Sequence, residues 1–236
     1  MDAFEELELY KTSPTPVSSS YYHKTGEGQY QHGDLFMGVP AAGIHTVSLH
    51  HFETITEAEL ERLLASPVHD HRAVAVEILA RLAIRGPGAV REEIMEWYLK
   101  RLDRVNGWDL VDMSCPAVVG LRVAETKNIA LLHRLVASDH LWTKRVGIVS
   151  TLTLIRQNLL DETLAVLEAA LHDDRDLIHK AVGWMLREVG KRDRKKLDRF
   201  LKDHYASLPR TSLRYAIERH EEPTRNDILK GIFKEE

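Results

Sequence analysis

The fold class is decided by residues 164–180, which read LAVLEAALHDDRDLIHK. Leu164, Leu167 and Leu171 recur at intervals of three and four residues, which is the spacing of one face of an α-helix. Two earlier stretches have the same kind of spacing, at Val74/Ile78/Leu79 and at Ile148/Leu152/Ile155. No window alternates apolar and polar residues with a period of two, so we predict an all-α protein.

Short turn-like segments separate these helical stretches. They are Ser66-Pro67, Arg85-Gly86-Pro87-Gly88, Asn106-Gly107, Ala137-Ser138-Asp139 and Leu208-Pro209. Connections of this length favour antiparallel neighbouring helices, so we predict that successive helices pack against each other.

An internal repeat places one charged residue at a near-constant interval. The residues at this position are Arg72, Asp109, Arg145, Lys180 and Arg214, at steps of 37, 36, 35 and 34 residues. Such steps are typical of stacked two-helix units, so we predict a HEAT-like helical-repeat solenoid. Equivalent positions of a solenoid line up, which gives a concave basic groove with carboxylates in the middle. In the alternative interpretation, each basic residue only ties its own repeat together.

Composition and charge indicate the compartment and the class of partner. The net charge is −4, but residues 1–70 carry 3 Lys/Arg against 11 Asp/Glu, whereas residues 140–220 carry 16 against 11. The basic half can bind a polyanion, because phosphate contacts are local. The single cysteine, Cys115, cannot form an internal disulfide, and neither a secretory signal nor a membrane-spanning apolar run is present. We therefore expect a soluble cytoplasmic protein.

Two tryptophans stand among charged residues at helical spacing. Trp108 and Asp112 are four residues apart, so they project from the same face of a helix. Trp184 follows Lys180 by four residues and precedes Arg187 by three. For either tryptophan the plainer interpretation is helix packing, and for Asp112 it is a capping carboxylate.

Five motifs in order make the chain resemble AlkD-like DNA alkylation-repair proteins from about Tyr21 to its end. They are residues 24–30 with 33–40 (KTGEGQY and GDLFMGVP), 108–112 (WDLVD), 138–145 (SDHLWTKR), 180–188 (KAVGWMLRE) and 209–218 (PRTSLRYAIE). The resemblance implies a monofunctional DNA glycosylase that removes cationic N3- and N7-alkylpurines from duplex DNA in base excision repair. It also implies that the damaged base stays stacked instead of being flipped into a pocket, in contrast to most glycosylases.

The resemblance assigns roles to individual residues. Asp112 would be the catalytic carboxylate, and Trp108 and Trp184 would pack against the sugars and backbone at the lesion. Arg145 would hold a nearby phosphate, and Tyr22 is the candidate for a third aromatic contact. The other DNA-binding candidates are the basic residues of the same motifs, Lys144, Lys180, Arg187 and Arg214.

The chemistry suits these residue types. An alkylated purine is a cation and leaves without a general acid, while its sugar becomes oxocarbenium-like. A fixed carboxylate stabilises that positive charge and orients or deprotonates the attacking water. Indole faces add cation–π attraction. No lysine nucleophile and no cofactor are needed.

The remaining predictions concern domains, metals and alternatives. Residues 1–20 are predicted as a partly flexible N-terminal segment, because Pro14 and Pro16 break a helix, and residues 21–236 as one domain. The spacing of His69 and His71, and of His50 and His51, does not suit helical metal ligands, so we interpret the histidines as solvated and predict no metal. A monomer is the simplest expectation. The alternatives to a glycosylase are a non-catalytic relative that binds DNA structures and a protein-binding scaffold.

Overall fold

Helices account for all the regular structure in the described part of the chain. The protein is represented by a computed structural model, and the structure describes residues 1–11 and 23–233. Within these residues the only β-type pairing is an isolated parallel bridge between Leu35 and Val68. The prediction of an all-α protein is therefore confirmed. None of the described helices is both long and apolar enough to cross a membrane.

The chain divides into two compact units, Met1–Val118 and Val119–Glu236. In the first unit the helices are α1 (Ala3–Glu8), α2 (Ala41–His51), α3 (Glu57–Leu64), α4 (His69–Arg85), α5 (Gly88–Leu99) and α6 (Trp108–Cys115). In the second they are α7 (Leu121–Thr126), α8 (Ile129–Val136), α9 (Leu141–Val149), α10 (Thr151–Arg156), α11 (Leu160–Glu168), α12 (Asp176–Arg192), α13 (Arg194–Asp203), α14 (Arg210–Ala216) and α15 (Glu222–Leu229). A π-helical segment, Pro116–Gly120, spans the junction. The prediction of one domain over residues 21–236 stays a prediction.

The first unit is built around α4, which packs against α2, α3, α5 and α6. Capping boxes begin two of its helices: Asp2 and Glu5 each accept a backbone hydrogen bond from the other at α1, and Thr56 and Glu59 do the same at α3. Leu7 of α1 is fully buried, and α1 packs against α2. The amino end of the chain is thus part of the first unit.

The predicted linker and one predicted aromatic contact lie outside the described residues. These are Pro14, Pro16 and Tyr22.

The second unit is built around α12, which packs against α9, α10, α11, α13 and α14. The contact with α14 is close at Gly183, where an added Cβ would lie 2.6 Å from the carbonyl oxygen of Ser212. The Ser212 hydroxyl donates to the carbonyl of His179 across the same interface (2.8 Å). Because Gly183 has no side chain, the two helices can approach each other this closely.

The repeat inferred from the sequence corresponds to a regular placing of helices. The repeat residues each fall within the first five residues of a helix, on α4, α6, α9, α12 and α14. Four predicted separators lie between helices, and the fifth, Arg85-Gly86-Pro87-Gly88, includes the last residue of α4 and the first of α5. This confirms a helical-repeat architecture, whereas the HEAT-like type and the concave groove stay predictions.

Two apolar patterns extend beyond single helices. Leu171 lies after the end of α11 but is only 3% exposed, and the pattern from Ile148 to Ile155 runs across α9 and α10, which are separated at Ser150. Apolar spacing thus identified the buried face correctly but not the helix ends.

Candidate functional site

A buried polar cluster surrounds the amino end of α6 in the first unit. We refer to it as the Asp34–Asp109 cluster, and its members are His23, Gln31, Asp34, His69, Arg72, Asn106 and Asp109. They come from the loop that precedes α2, from the first turn of α4, from the loop before α6 and from α6 itself. The cluster therefore joins segments that are far apart in the sequence.

Asp34 is the centre of the hydrogen bonds in this cluster. Its Oδ2 accepts from Nη2 of Arg72 (2.6 Å) and from Nε2 of Gln31 (3.1 Å), and its Oδ1 accepts from Nδ2 of Asn106 (3.2 Å). Arg72 also donates through Nη1 to the carbonyl of Ser66 (2.7 Å) and is only 4% exposed. Arg72, the first residue of the predicted cation row, is thus buried and bonded within the protein, both to Asp34 and to Ser66 just before its own helix. The cation row stays a prediction.

His69 lies between two carboxylates and is 4% exposed. Its Nε2 is 2.7 Å from Oδ2 of Asp109, and its Nδ1 is 3.6 Å from Oδ2 of Asp34. Burial by itself disfavours the imidazolium, but the hydrogen bonds to Asp109 and Asp34 outweigh it and raise the pKa of His69 to about 9. Burial acts against both carboxylates too, yet the hydrogen bonds from His69 leave the pKa values of Asp34 and Asp109 below the ordinary value.

Trp108 and Asp112 lie one turn apart on α6, and both are half-buried. The ring of His23 stacks on that of Trp108, with centroids 5.7 Å apart and an interplanar angle of 13°. Between them in sequence, Asp109 anchors the first turn of α6 to His69 on α4. The cluster therefore fixes the start of the helix that carries the predicted catalytic pair.

A cavity of about 860 Å³ opens beside the cluster, within the first unit. His23, His69 and Asp109 contribute polar groups to its wall, whereas Phe36 and Met113 contribute apolar ones. Such a mixed, partly apolar cavity is the usual setting of a ligand site.

In the second unit, α9 carries two of the basic candidates, and both are bonded to protein partners. Arg145 is 5% exposed, and its Nη1 donates to the carbonyl of Leu177 (2.6 Å), which joins α9 to the start of α12. Nζ of Lys144 is 2.7 Å from Oδ2 of Asp173. Hydrogen bonds from Arg175 and Lys144 hold the pKa of Asp173 well below its usual range, although burial acts in the opposite direction.

The other candidates of the second unit lie on α12 and α14. Lys180 is 41% exposed and pairs with Asp176 (2.7 Å), whereas Arg187 bonds Glu218 of the segment after α14. Arg214 is exposed. Trp184 is half-buried and lines a cavity of about 480 Å³ together with basic side chains, those of Arg156, Lys191 and Arg192.

The structure thus places Trp108 and Asp112 one turn apart on α6. It places Trp184 in a cavity wall beside basic side chains that are not among the predicted cations. Sequence reasoning missed the roles of His23, His69 and Asp109. The interpretation of the histidines as solvated is wrong for His69, because tertiary packing buries it between two acids. A helical ligand spacing could not have found this cluster, because its members lie on separate segments.

Comparison with known proteins identifies a family and a solved structure of similar fold. The family described as DNA alkylation repair enzyme matches residues 4–220. The solved structure of a protein described as "Predicted DNA alkylation repair enzyme from Enterococcus faecalis" has a TM-score of 0.70 and 18% sequence identity; the match covers 90% of this chain and 98% of that chain. At this identity the likeness concerns the fold alone. No curated protein matches the sequence.

Proposed function

This chain belongs to the DNA alkylation repair enzyme family, and we propose that its role in DNA repair is that of a monofunctional DNA glycosylase. The proposed substrate is a cationic N3- or N7-alkylpurine in duplex DNA, excised while the base remains stacked. The observation that carries the proposal is the pairing of Trp108 with Asp112 on one half-buried face of α6.

The position of the pair suits chemistry on a sugar. A helix that begins at Trp108 and is anchored by Asp109 presents Trp108 and Asp112 one turn apart in a fixed orientation. Pro116 follows at the end of α6, and its nitrogen carries no hydrogen to donate to the carbonyl of Asp112 four residues earlier. The fixed orientation of Asp112 matters, because a carboxylate stabilises a transition state best when its side chain is already in position and does not have to move during the reaction.

The proposed reaction needs few groups from the protein. The C1′–N bond breaks with its electron pair going to the purine, which neutralises the charge of the alkylated base. Asp112 stabilises the oxocarbenium-like sugar and takes a proton from the water whose oxygen bonds to C1′. The indole of Trp108 would add cation–π stabilisation of about 0.5–2 kcal/mol in a desolvated site. Trp184, on α12, stays a proposed contact to the DNA backbone.

Duplex DNA would be held by the basic residues of the second unit, with the protein acting as a monomer. Lys180 and Arg214 need the least rearrangement to contact phosphates, because both are well exposed. The proposed contacts of Lys144, Arg145 and Arg187 require these side chains to exchange their present partners. Of the paired candidates, Lys180 exchanges its partner most cheaply, because its pair with Asp176 is exposed and such pairs contribute only about 0–1 kcal/mol. Exchange costs more for Lys144 and Arg145, because the side chain of Asp173 is 4% exposed and Arg145 is buried against a backbone carbonyl.

The test uses a duplex oligonucleotide with a single 7-methylguanine, followed by alkaline cleavage of abasic sites. We expect cleavage by the wild type and a rate lower by about 100-fold or more for Asp112→Asn. The matched control is Asp103→Asn, which removes the same charge from an exposed position of the first unit and should cleave normally.

Each other result points to a specific alternative. Binding in a shift assay without cleavage by the wild type would mean a DNA-structure-binding relative, and neither binding nor cleavage would favour a protein scaffold.

The stacked-base proposal is tested with 2-aminopurine placed next to the lesion. Its fluorescence should stay quenched in the complex, whereas a bright signal would mean that the base is flipped.

A further inference from the structure

We propose that His23, His69 and Asp109 form a binding site for one divalent transition-metal ion of the Zn²⁺ class. The site lies at the amino end of α6, within the first unit. It is independent of the proposed glycosylase activity, because it rests on the geometry of these three side chains.

The three side chains supply the ligand types and the separations that such an ion requires. One ligand atom from each residue lies within 4.8 Å of the other two. Bonds of about 2.0–2.2 Å to imidazole nitrogen and carboxylate oxygen place two ligands of a tetrahedral ion roughly 3.3 Å apart. His69 approaches one oxygen of Asp109 (Nε2 to Oδ2, 2.7 Å) and His23 the other (Nδ1 to Oδ1, 3.8 Å), so shifts of about an ångström would bring both imidazoles to ligand distance around one carboxylate.

One oxygen of Asp109 lacks a partner that an ion would provide. Its Oδ1 is buried and accepts no hydrogen bond from any described residue. Buried carboxylate oxygens are normally satisfied, so this oxygen needs an explanation. Gly107 lets the backbone pass close to this oxygen, since a Cβ there would lie 2.8 Å from Oδ1 and would have to displace it.

The surroundings of His69 are those of a metal-ligating histidine. Nε2 faces Asp109, while Nδ1 on the opposite side of the ring lies 3.3 Å from Nε2 of Gln31 and 3.6 Å from Oδ2 of Asp34. Ligating histidines usually donate the N–H of the second nitrogen to a carboxylate or another acceptor, which fixes the orientation of the ring. At His69 the acceptor is Asp34, since Nε2 of Gln31 is itself a donor. Gln31 also lies 3.1 Å from Nδ1 of His23 through its Oε1, so one amide contacts both imidazoles.

The site has an open side. All three ligand residues line the 860 Å³ cavity of the first unit, so water can reach the ion and complete its coordination. Three protein ligands with one open position are typical of reactive rather than purely structural zinc sites. The carboxylates of Asp34 and Asp109 attract a cation to this point, and the guanidinium of Arg72 moderates that attraction.

The experiment measures Zn²⁺ binding by calorimetry after chelator treatment of the full chain, with Co²⁺ absorption as a second probe of the coordination. We expect one saturable Zn²⁺ per chain and the visible bands of nitrogen- and oxygen-coordinated Co²⁺. His23→Ala and Asp109→Asn should each weaken Zn²⁺ binding by about 100-fold or more. Gly107→Ala keeps every ligand, but its Cβ would displace Oδ1 of Asp109, so it should weaken Zn²⁺ binding by about 10-fold. Circular dichroism melting identifies any variant that fails to fold.

The control variant is His50→Ala. His50 and His51 share the carboxylate of Glu6 and form the other histidine pair of the unit (2.6 and 2.8 Å). We expect His50→Ala to bind Zn²⁺ as the wild type does. The proposal is overturned if the wild type shows no saturable binding, which would make the cluster an imidazolium–carboxylate ion pair only. It is equally overturned if folded His23→Ala binds normally, or if His50→Ala is the variant that loses the ion.

Discussion

Replacement of Gly183 by alanine should destabilise the second unit, although alanine is the better helix former. A Cβ on Gly183 of α12 would lie 2.5 Å from Cβ of Tyr215 and 2.6 Å from the carbonyl oxygen of Ser212 on α14. Ordinary contacts begin near 3.4 Å. The two helices would therefore have to separate by roughly 0.8 Å, since backbone and Cβ atoms cannot rotate out of the way.

The magnitude follows from two opposing effects. Alanine gains about 1 kcal/mol over glycine in a helix interior. Overpacking costs about 1–3 kcal/mol, and the upper end applies here because the obstructing atoms are not the flexible end of a side chain. The expected net loss is about 2 kcal/mol of unfolding free energy, or about 4–8 °C in Tm for a protein of this size.

Gly190→Ala on the same helix is the matched control. Its Cβ would meet only the side chain of Leu197, whose methyl group can rotate, so its stability should stay within about 1 kcal/mol of the wild type. Thermal and urea unfolding followed by circular dichroism measure both variants. The reasoning is refuted if Gly183→Ala is as stable as the wild type, or if both variants lose the same amount.

Two further predictions concern charged side chains. Arg72→Met should lower the unfolding free energy by about 3 kcal/mol, because it removes the guanidinium that pairs with the buried carboxylate of Asp34. This is the lower end of the range for a broken buried pair, since Asp34 keeps its other hydrogen bonds. Arg85→Met at an exposed pair should cost about 0–1 kcal/mol, and similar losses for the two variants in urea unfolding would contradict this. Asp173→Asn should destabilise at pH 7 but lose its effect as the pH falls below about 4. Hydrogen bonds from Arg175 and Lys144 lower the pKa of the folded carboxylate, so its stabilisation exists above the unfolded pKa and disappears on acidification. A difference between wild type and variant that stays constant from pH 7 to pH 3 would argue against this contact.

Much of the fold could be predicted from the sequence, because helices and turns depend on local interactions. The spacing of Leu164 and Leu167 identified a buried helix face, and the turn at Asn106-Gly107 marked the start of α6. The repeat interval placed Arg145 and Lys180 near the starts of α9 and α12. The exposure of a side chain at a repeat position, however, does not follow from the interval.

Only the tertiary structure decided which polar side chains meet and which cations are already paired. Arg72 and Arg145 occupy equivalent repeat positions with Arg214, yet the first two are buried and bonded to carbonyls, while Arg214 is exposed. His69 becomes a partner of Asp109 because α4 packs against α6, forty residues further along the chain. Helical periodicity sets which face of each helix is buried. The packing of helices then determines the neighbours, burial and charge state of each polar side chain, because those depend on atoms from distant parts of the chain.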